Sequence, residues 1–163
     1  MTDKDRIDWA GLPPGGAFFG ARHLLPVRIY YEDTDFSGMV YHANYLRFLE
    51  RGRSDCLRLA GVHHAELWAR AEPLAFTIRR IEMTFHRPAR IDDTLVVVTQ
   101  FTMAIGARIE ARQWIMRGDE LIFAADVFAA CINAEGRPRR LPGDVVTLME
   151  PYVAPIEPPE EGR

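Results

Sequence analysis

Val27-Arg28-Ile29-Tyr30-Tyr31-Glu32-Asp33-Thr34-Asp35-Phe36-Ser37-Gly38-Met39-Val40-Tyr41-His42-Ala43-Asn44-Tyr45 is the stretch that decides how this chain folds. It opens as a short β-branched and aromatic run and passes into an acidic turn closed by Gly38. From Tyr45 onward apolar residues fall at Phe48, Leu49, Cys56, Leu59 and Ala60, with Arg47, Glu50, Arg51, Ser54, Asp55 and Arg58 on the other side. That spacing predicts an amphipathic helix that buries one stripe. A helix N-terminus presents unpaired N–H groups and a partial positive charge, and Asp35 sits in the turn just ahead of it.

Working outward, Gly61 is placed to stop the helix, and His63-His64 follow it. Between about 74 and 133 the apolar period changes to two. Leu74, Phe76 and Ile78 alternate with polar neighbours, then the phase jumps to Ile81, Met83 and Phe85, which predicts a bulge near Arg79-Arg80. A turn at Pro88 to Asp93 leads into a second long strand with Leu95, Val97, Phe101 and Met103 on one phase. After Gly106 a third places Ile109, Ala111 and Ile115 on one face; Gly118-Asp119 then turns into Leu121 to Ile132, apolar on both phases. The expected fold is α+β: one long central helix wrapped by a curved antiparallel sheet of about five strands. Val145 to Glu150 is too short to cover the remaining sheet face, so a partner subunit is expected to cover it or to extend its edge.

Residues 25–150 are read as a single domain, which a chain of 163 residues accommodates around one core. Residues 1–24, with Pro13-Pro14-Gly15-Gly16 and no sustained period, are expected to form a flexible lead-in whose Trp9, Phe18 and Phe19 dock onto the domain or a neighbour. Residues 151–163, rich in proline and glutamate, are expected to be a disordered tail. A net charge of -3 argues against a general nucleic-acid binder. No apolar run approaches the roughly 20 residues that span a bilayer. Asp3, Asp5 and Asp8 precede any apolar stretch, the wrong order for a secretory signal, and Cys56 and Cys131 sit in apolar surroundings without a disulfide pattern. The expected location is the cytoplasm.

Glu32, Asp33, Asp35 and His42 admit three readings as side chains alone. Acids in a turn before a helix cap its free N–H groups. Asp33, Asp35 and His42 offer a divalent-metal set, although no further His or Cys recurs at ligand spacing. In the third reading Asp35 faces a substrate carbonyl whose oxygen rests on the N–H groups at the helix start, which stabilise a developing oxyanion more than the ground state. Near a positive helix end Asp35 stays ionised, as a nucleophile or a base for water must.

The pattern Tyr31-Glu32-Asp33-Thr34-Asp35-x-x-Gly38-x-Val40-Tyr41-His42-Ala43-Asn44-Tyr45, then Glu50-Arg51, then Phe85-x-x-Pro88-Ala89-Arg90-x-Asp92-Asp93, resembles the hotdog-fold acyl-CoA thioesterases. It is most similar to the YbgC-like, Tol-Pal-associated branch of the 4-hydroxybenzoyl-CoA thioesterase family, over about Pro26 to Leu141. The resemblance implies hydrolysis of an acyl-CoA thioester, with Asp35, His42 and Tyr31 as catalytic residues and the helix-start amides from Val40, Tyr41 and His42 to Ala43 polarising the carbonyl. It implies no metal or redox cofactor, and homodimers or homotetramers with active sites at the subunit interface. Arg79, Arg80, Arg87 and Arg90 are the candidates for the phosphates of coenzyme A, and an acyl carrier protein is a second candidate carrier of the acyl group. Phe36-Ser37 depart from the small residues more usual beside the catalytic carboxylate. Two other functions share the fold: a hydratase, whose Asp and His spacing is not found, and a non-catalytic acyl-CoA or acyl-carrier-protein binding module, which needs no carboxylate in the turn.

Overall fold

The apolar stripe that begins at Tyr45 lies on α1 (His42–Leu59), which packs on a six-stranded sheet. The computed structural model describes residues 11–156. Its strands are β1 (Ala17–Phe19), β2 (Arg22–Arg28), β3 (Leu74–Phe85), β4 (Thr94–Ile105), β5 (Arg108–Arg117) and β6 (Glu120–Asn133), with α2 (His64–Trp68) and α3 (Gly143–Met149) between and after them. The order across the sheet is β1-β2-β4-β5-β6-β3, and every neighbouring pair is antiparallel. The phase jump read at Arg79-Arg80 is a register shift between Ile78 and Arg80 in the β3 and β6 pairing. Two further shifts, between Phe101 and Met103 and between Ile115 and Met116, add curvature.

The helix lies at backbone distance from the sheet at Gly52, where a Cβ would stand 2.8 Å from Val97 Cγ1 and 2.9 Å from Thr99 Oγ1. Beneath it Gln113 is fully buried and fully used: Nε2 donates to Leu49 O (2.9 Å) and Thr99 Oγ1 (2.8 Å), and Oε1 accepts from Arg53 Nη1 (2.8 Å). Around this point Phe48, Leu49, Val97, Leu95, Ile115 and Phe123 form the core. The helix ends at Gly61, held at φ 93°, with Val62 N–H returning to Leu57 O (2.8 Å). Leu57, not Leu59, is buried in the last turn; Leu59 is half exposed.

The sixth strand comes from the expected flexible lead-in. Ala17, Phe18 and Phe19 pair with Leu24, His23 and Arg22, so residues 17–24 form a hairpin against β4 instead of a loose arm. Phe18 stacks on Tyr152 at 3.8 Å, and Gly16, at φ 76°, sits so close to His23 and Leu24 that a Cβ would clash with both. Met1 to Ala10, including Trp9, lie outside the described residues. The expected disordered tail is likewise docked where it is described: Val153 bridges Phe101, Ala154 N–H bonds Phe101 O, and Gln100 Nε2 donates to Ala154 O and Pro155 O. Residues 157–163 lie outside the described residues. Among the described residues no helix is long and apolar enough to cross a membrane.

The longer edge of the sheet is open. Among the described residues β3 has no outer neighbour, and Ile78, Met83 and Phe85 on it are 40 to 50% exposed. α1 leans toward β2 and β4, and two cavities lie between its flank and β3, one at the Phe76 and Ile78 end and one at the Phe85 end.

Gly52→Ala overpacks the helix against Val97 and Thr99 and should cost about 1–3 kcal/mol, read as a lower urea midpoint at unchanged slope. His23 is fully buried, donates Nε2 to Gly15 O (3.0 Å), and has no partner for Nδ1 among the described residues. Burial holds its imidazole below the ordinary 6.5. The unfolded chain therefore binds the proton first, so stability is complete above about pH 6.5 and falls as pH drops toward the depressed folded value. His23→Gln should flatten that decline in thermal melts between pH 7 and 5.

Candidate active site

The acidic turn divides its two aspartates by direction. Asp33 turns inward: its Oδ2 accepts Tyr30 N–H (2.8 Å), and its Oδ1 and main-chain O accept Asn44 Nδ2 (3.2 Å each). Asp33 thus caps the short 3-10 turn Tyr31–Asp33 and not α1, which the capping reading expected, and these bonds occupy it away from Asp35 and His42. Among the described residues no three His, Cys, Asp or Glu side chains gather as metal ligands. Asp35 faces outward, with its Oδ1 accepting both Ser37 N–H (2.8 Å) and Ser37 Oγ–H (2.5 Å). Gly38, at φ 75°, closes the turn, and Asp35 N–H bonds Met39 O.

Asp35 lines a groove of about 330 Å³ with Met39, Val40, His42, Tyr45, Phe85, His86, Arg87 and Pro88. The groove is where the start of α1, the end of β3 and the segment after it meet. The carboxyl of Asp35 is held below the ordinary carboxylate value, first by the Ser37 hydroxyl, then by the Ser37 amide, with a smaller contribution from the charge of His42. His42 opens α1, its ring 4.4 Å from that of Tyr41.

The helix-start amides are not equivalent. Val40 N–H is taken by Ala89 O (2.8 Å) and Tyr41 N–H by Asp33 O (2.8 Å), so neither is a free oxyanion donor. The reason is pairing: Thr34 bridges Val40 and Met39 bridges Arg90, which binds this strand of the turn to the segment after β3. No side chain caps the helix at Tyr41, and the N–H groups of His42 and Ala43 have no acceptor among the described residues. Two of the four amides are free at the helix start, and His42 lines the groove. Tyr31, expected to be catalytic, is 83% exposed in the 3-10 turn and does not line the groove. The expected arginine group is split. Arg87 lines the groove, with an exposed ion pair to Glu120 (3.2 Å), and Arg90 Nη1 lies over Gly38. Arg79 and Arg80 belong to a separate cavity with Arg108, Glu110 and Phe128, where Arg80 stacks on Phe128 at 4.1 Å.

A family model described as the thioesterase superfamily matches residues 37–124, from within this turn to the middle of β6. The chain belongs to the thioesterase superfamily. It is a thioester hydrolase of the hotdog fold. The acyl-CoA thioester hydrolase YbgC of Escherichia coli is 38% identical over 74% of this chain and 90% of its own length. The acyl-CoA thioesterase YbgC of Haemophilus influenzae is 38% identical over 67% of this chain and 79% of its own. The crystal structure of a probable thioesterase from Bartonella henselae, 46% identical, superposes with a TM-score of 0.72 over 74% of this chain and 99% of that one.

In this thioesterase the groove also contains residues that period and motif did not assign to it: Met39, Tyr45, Phe85, His86 and Pro88. Tyr45 and Phe85 read as core apolar positions; Tyr45 is in the core, stacked on Phe123, and Phe85 meets it edge-on but stays half exposed. The signal that marks them is the second half of the family pattern, Phe85-x-x-Pro88-Ala89-Arg90. Its link to the first half is a hydrogen bond, Ala89 N–H to Tyr45 Oη (3.1 Å), with both residues buried. Tyr45→Phe strands that N–H and should cost about 1–3 kcal/mol in thermal or urea unfolding, whereas an exposed Tyr31→Phe should leave the midpoint unchanged.

Proposed function

We propose that this chain hydrolyses an acyl-CoA thioester to the free acid and coenzyme A, with Asp35 as nucleophile or general base. The observation that carries this is the meeting, at one groove, of an ionised carboxylate and His42, which opens α1 with two acceptor-free amides, its own and that of Ala43 behind it. The thioester oxygen accepts from those amides, each worth about 3 kcal/mol of barrier once the oxygen becomes an oxyanion. Asp35 then either attacks the carbonyl carbon, giving an anhydride as the C–S bond breaks, which water hydrolyses to the free acid and restores the carboxylate, or takes a proton from a water that attacks the carbonyl in its place as the C–S bond breaks. In both routes the departing thiolate takes up a proton, and the imidazole of His42 stands at the groove to deliver it. No metal or redox group enters either route. Tyr31 has no step.

For the phosphates of coenzyme A, Arg87, which lines the groove, and Arg90, whose Nη1 lies over Gly38 of the same turn, are favoured over Arg79 and Arg80 in their separate cavity. An acyl carrier protein presents the same thioester, and relative rates on the two donors decide between them. The YbgC relatives are acyl-CoA thioesterases by name, which supports coenzyme A as the carrier. The cytoplasm is the proposed setting, in keeping with the two buried free thiols. The open β3 edge supports a homodimer in which two such strands pair antiparallel. That pairing covers Ile78, Met83 and Phe85 and brings the Phe85 end of one copy to the Phe76 end of the other, so the Asp35 groove lies at the seam.

Free-thiol release on a panel of acyl-CoA substrates tests the reading. Asp35→Asn, folded by circular dichroism, should lose between about 10²- and 10⁴-fold in kcat/KM. Undiminished turnover removes Asp35 from the reaction, and calorimetric binding without turnover in the native protein turns the proposal to a binding module. Met83→Arg should halve the sedimenting mass and lower turnover with it; a monomeric, fully active variant would refute the interface site.

A further inference from the structure

Among the described residues the two close hydrogen bonds to the carboxylate of Asp35 come from Ser37 and fall on Oδ1, and the Met39 amide adds a weaker interaction. The amide bond is what any residue at position 37 supplies in this turn. The hydroxyl bond, at 2.5 Å, is specific to serine or threonine. No close hydrogen bond is made to Oδ2 among the described residues. The two oxygens are therefore chemically unlike before any substrate arrives. Oδ1 has its negative charge spread over two donors and its direction fixed, and Oδ2 keeps its lone pairs.

We propose that Ser37 is a positioning residue for the thioesterase reaction: its hydroxyl anchors Oδ1, leaves Oδ2 as the oxygen that attacks or takes the proton, and keeps Asp35 ionised when substrate covers the groove. The inference rests on the assignment of Asp35 above. Its physical basis is that an acyl group entering the groove strips water from a carboxylate that is fully exposed beforehand, which by itself would push the carboxyl toward its neutral form. A donor that travels with the carboxylate in its own turn opposes that shift without reaching the substrate. The depressed titration of Asp35, for which the Ser37 hydroxyl is the leading cause, points the same way. Main-chain bonds hold the anchor in place: Gly38 N–H to Asp35 O (3.0 Å) and Asp35 N–H to Met39 O (2.8 Å) form the turn without the side chain of Ser37, so removing the hydroxyl leaves the loop's backbone ties intact.

The test is the pH profile of kcat/KM for the native protein, Ser37→Ala and Ser37→Thr on one acyl-CoA substrate. Ser37→Ala should move the acid limb upward by about one pH unit, a tenfold loss at a pH on that limb, with a much smaller loss on the plateau. Ser37→Thr, which keeps the hydroxyl, should restore the native limb. An acid limb in Ser37→Ala that superimposes on the native one overturns the proposal, as does an equal loss in both variants at every pH, which would mark Ser37 as a turn residue only. If the native protein releases no thiol, or Asp35→Asn keeps full activity, it is the hydrolase reading that fails; a native activity lost in Asp35→Asn but with an unmoved limb in Ser37→Ala fails this inference alone.

Discussion

The groove depends on how closely α1 approaches the sheet. At Gly52 no side chain separates helix from strand, and the fully bonded carboxamide of Gln113 ties the helix backbone at Leu49 to Thr99 across the same contact. A buried amide whose hydrogen-bonding capacity is spent on both partners allows little rotation of the helix about its axis. That fixed rotation decides which way the first turn points, ten residues earlier, and so sets the aim of the His42 and Ala43 amides.

Electrostatics in the turn are then a matter of which groups are already occupied. Asp33 and Asp35 differ by two positions and have opposite roles, because the 3-10 turn sends one inward to Tyr30 and Asn44 and leaves the other facing the groove. The amides are sorted in the same way. Pairing with Ala89 and Asp33 consumes those of Val40 and Tyr41, and what remains is a pair at the true start of the helix. Buried polar groups are satisfied first, and a reactive site is built from what pairing leaves over.

The sequence made legible whatever is local and periodic. The long strands, their bulge at Ile78 and Arg80, the helix and its stop at Gly61 all follow from side-chain period and backbone geometry. The carboxylate of the groove was legible too, because a strand, an acidic Gly-closed turn and a helix come in that order. Non-local facts were not. Ala17 to Phe19 carries no period in three residues, and only pairing with β2 makes it a strand. His86 reaches the groove because Ile122 O holds the main chain after β3, and Val40 loses its amide to a residue 49 positions away. Leu59 fits the helical period as well as Leu57 does, but the sheet has fallen away from it by the last turn.

The two rims of the sheet are unequal: β1 offers three residues and β3 twelve. A rim so short gives little template for another chain, whereas the long one is a template for a copy of itself. In the proposed homodimer the contact would be isologous and would consume the long rim of both molecules at once. Strand addition through this sheet would then terminate after one round, leaving only the short rims outward and no template for open-ended fibre growth.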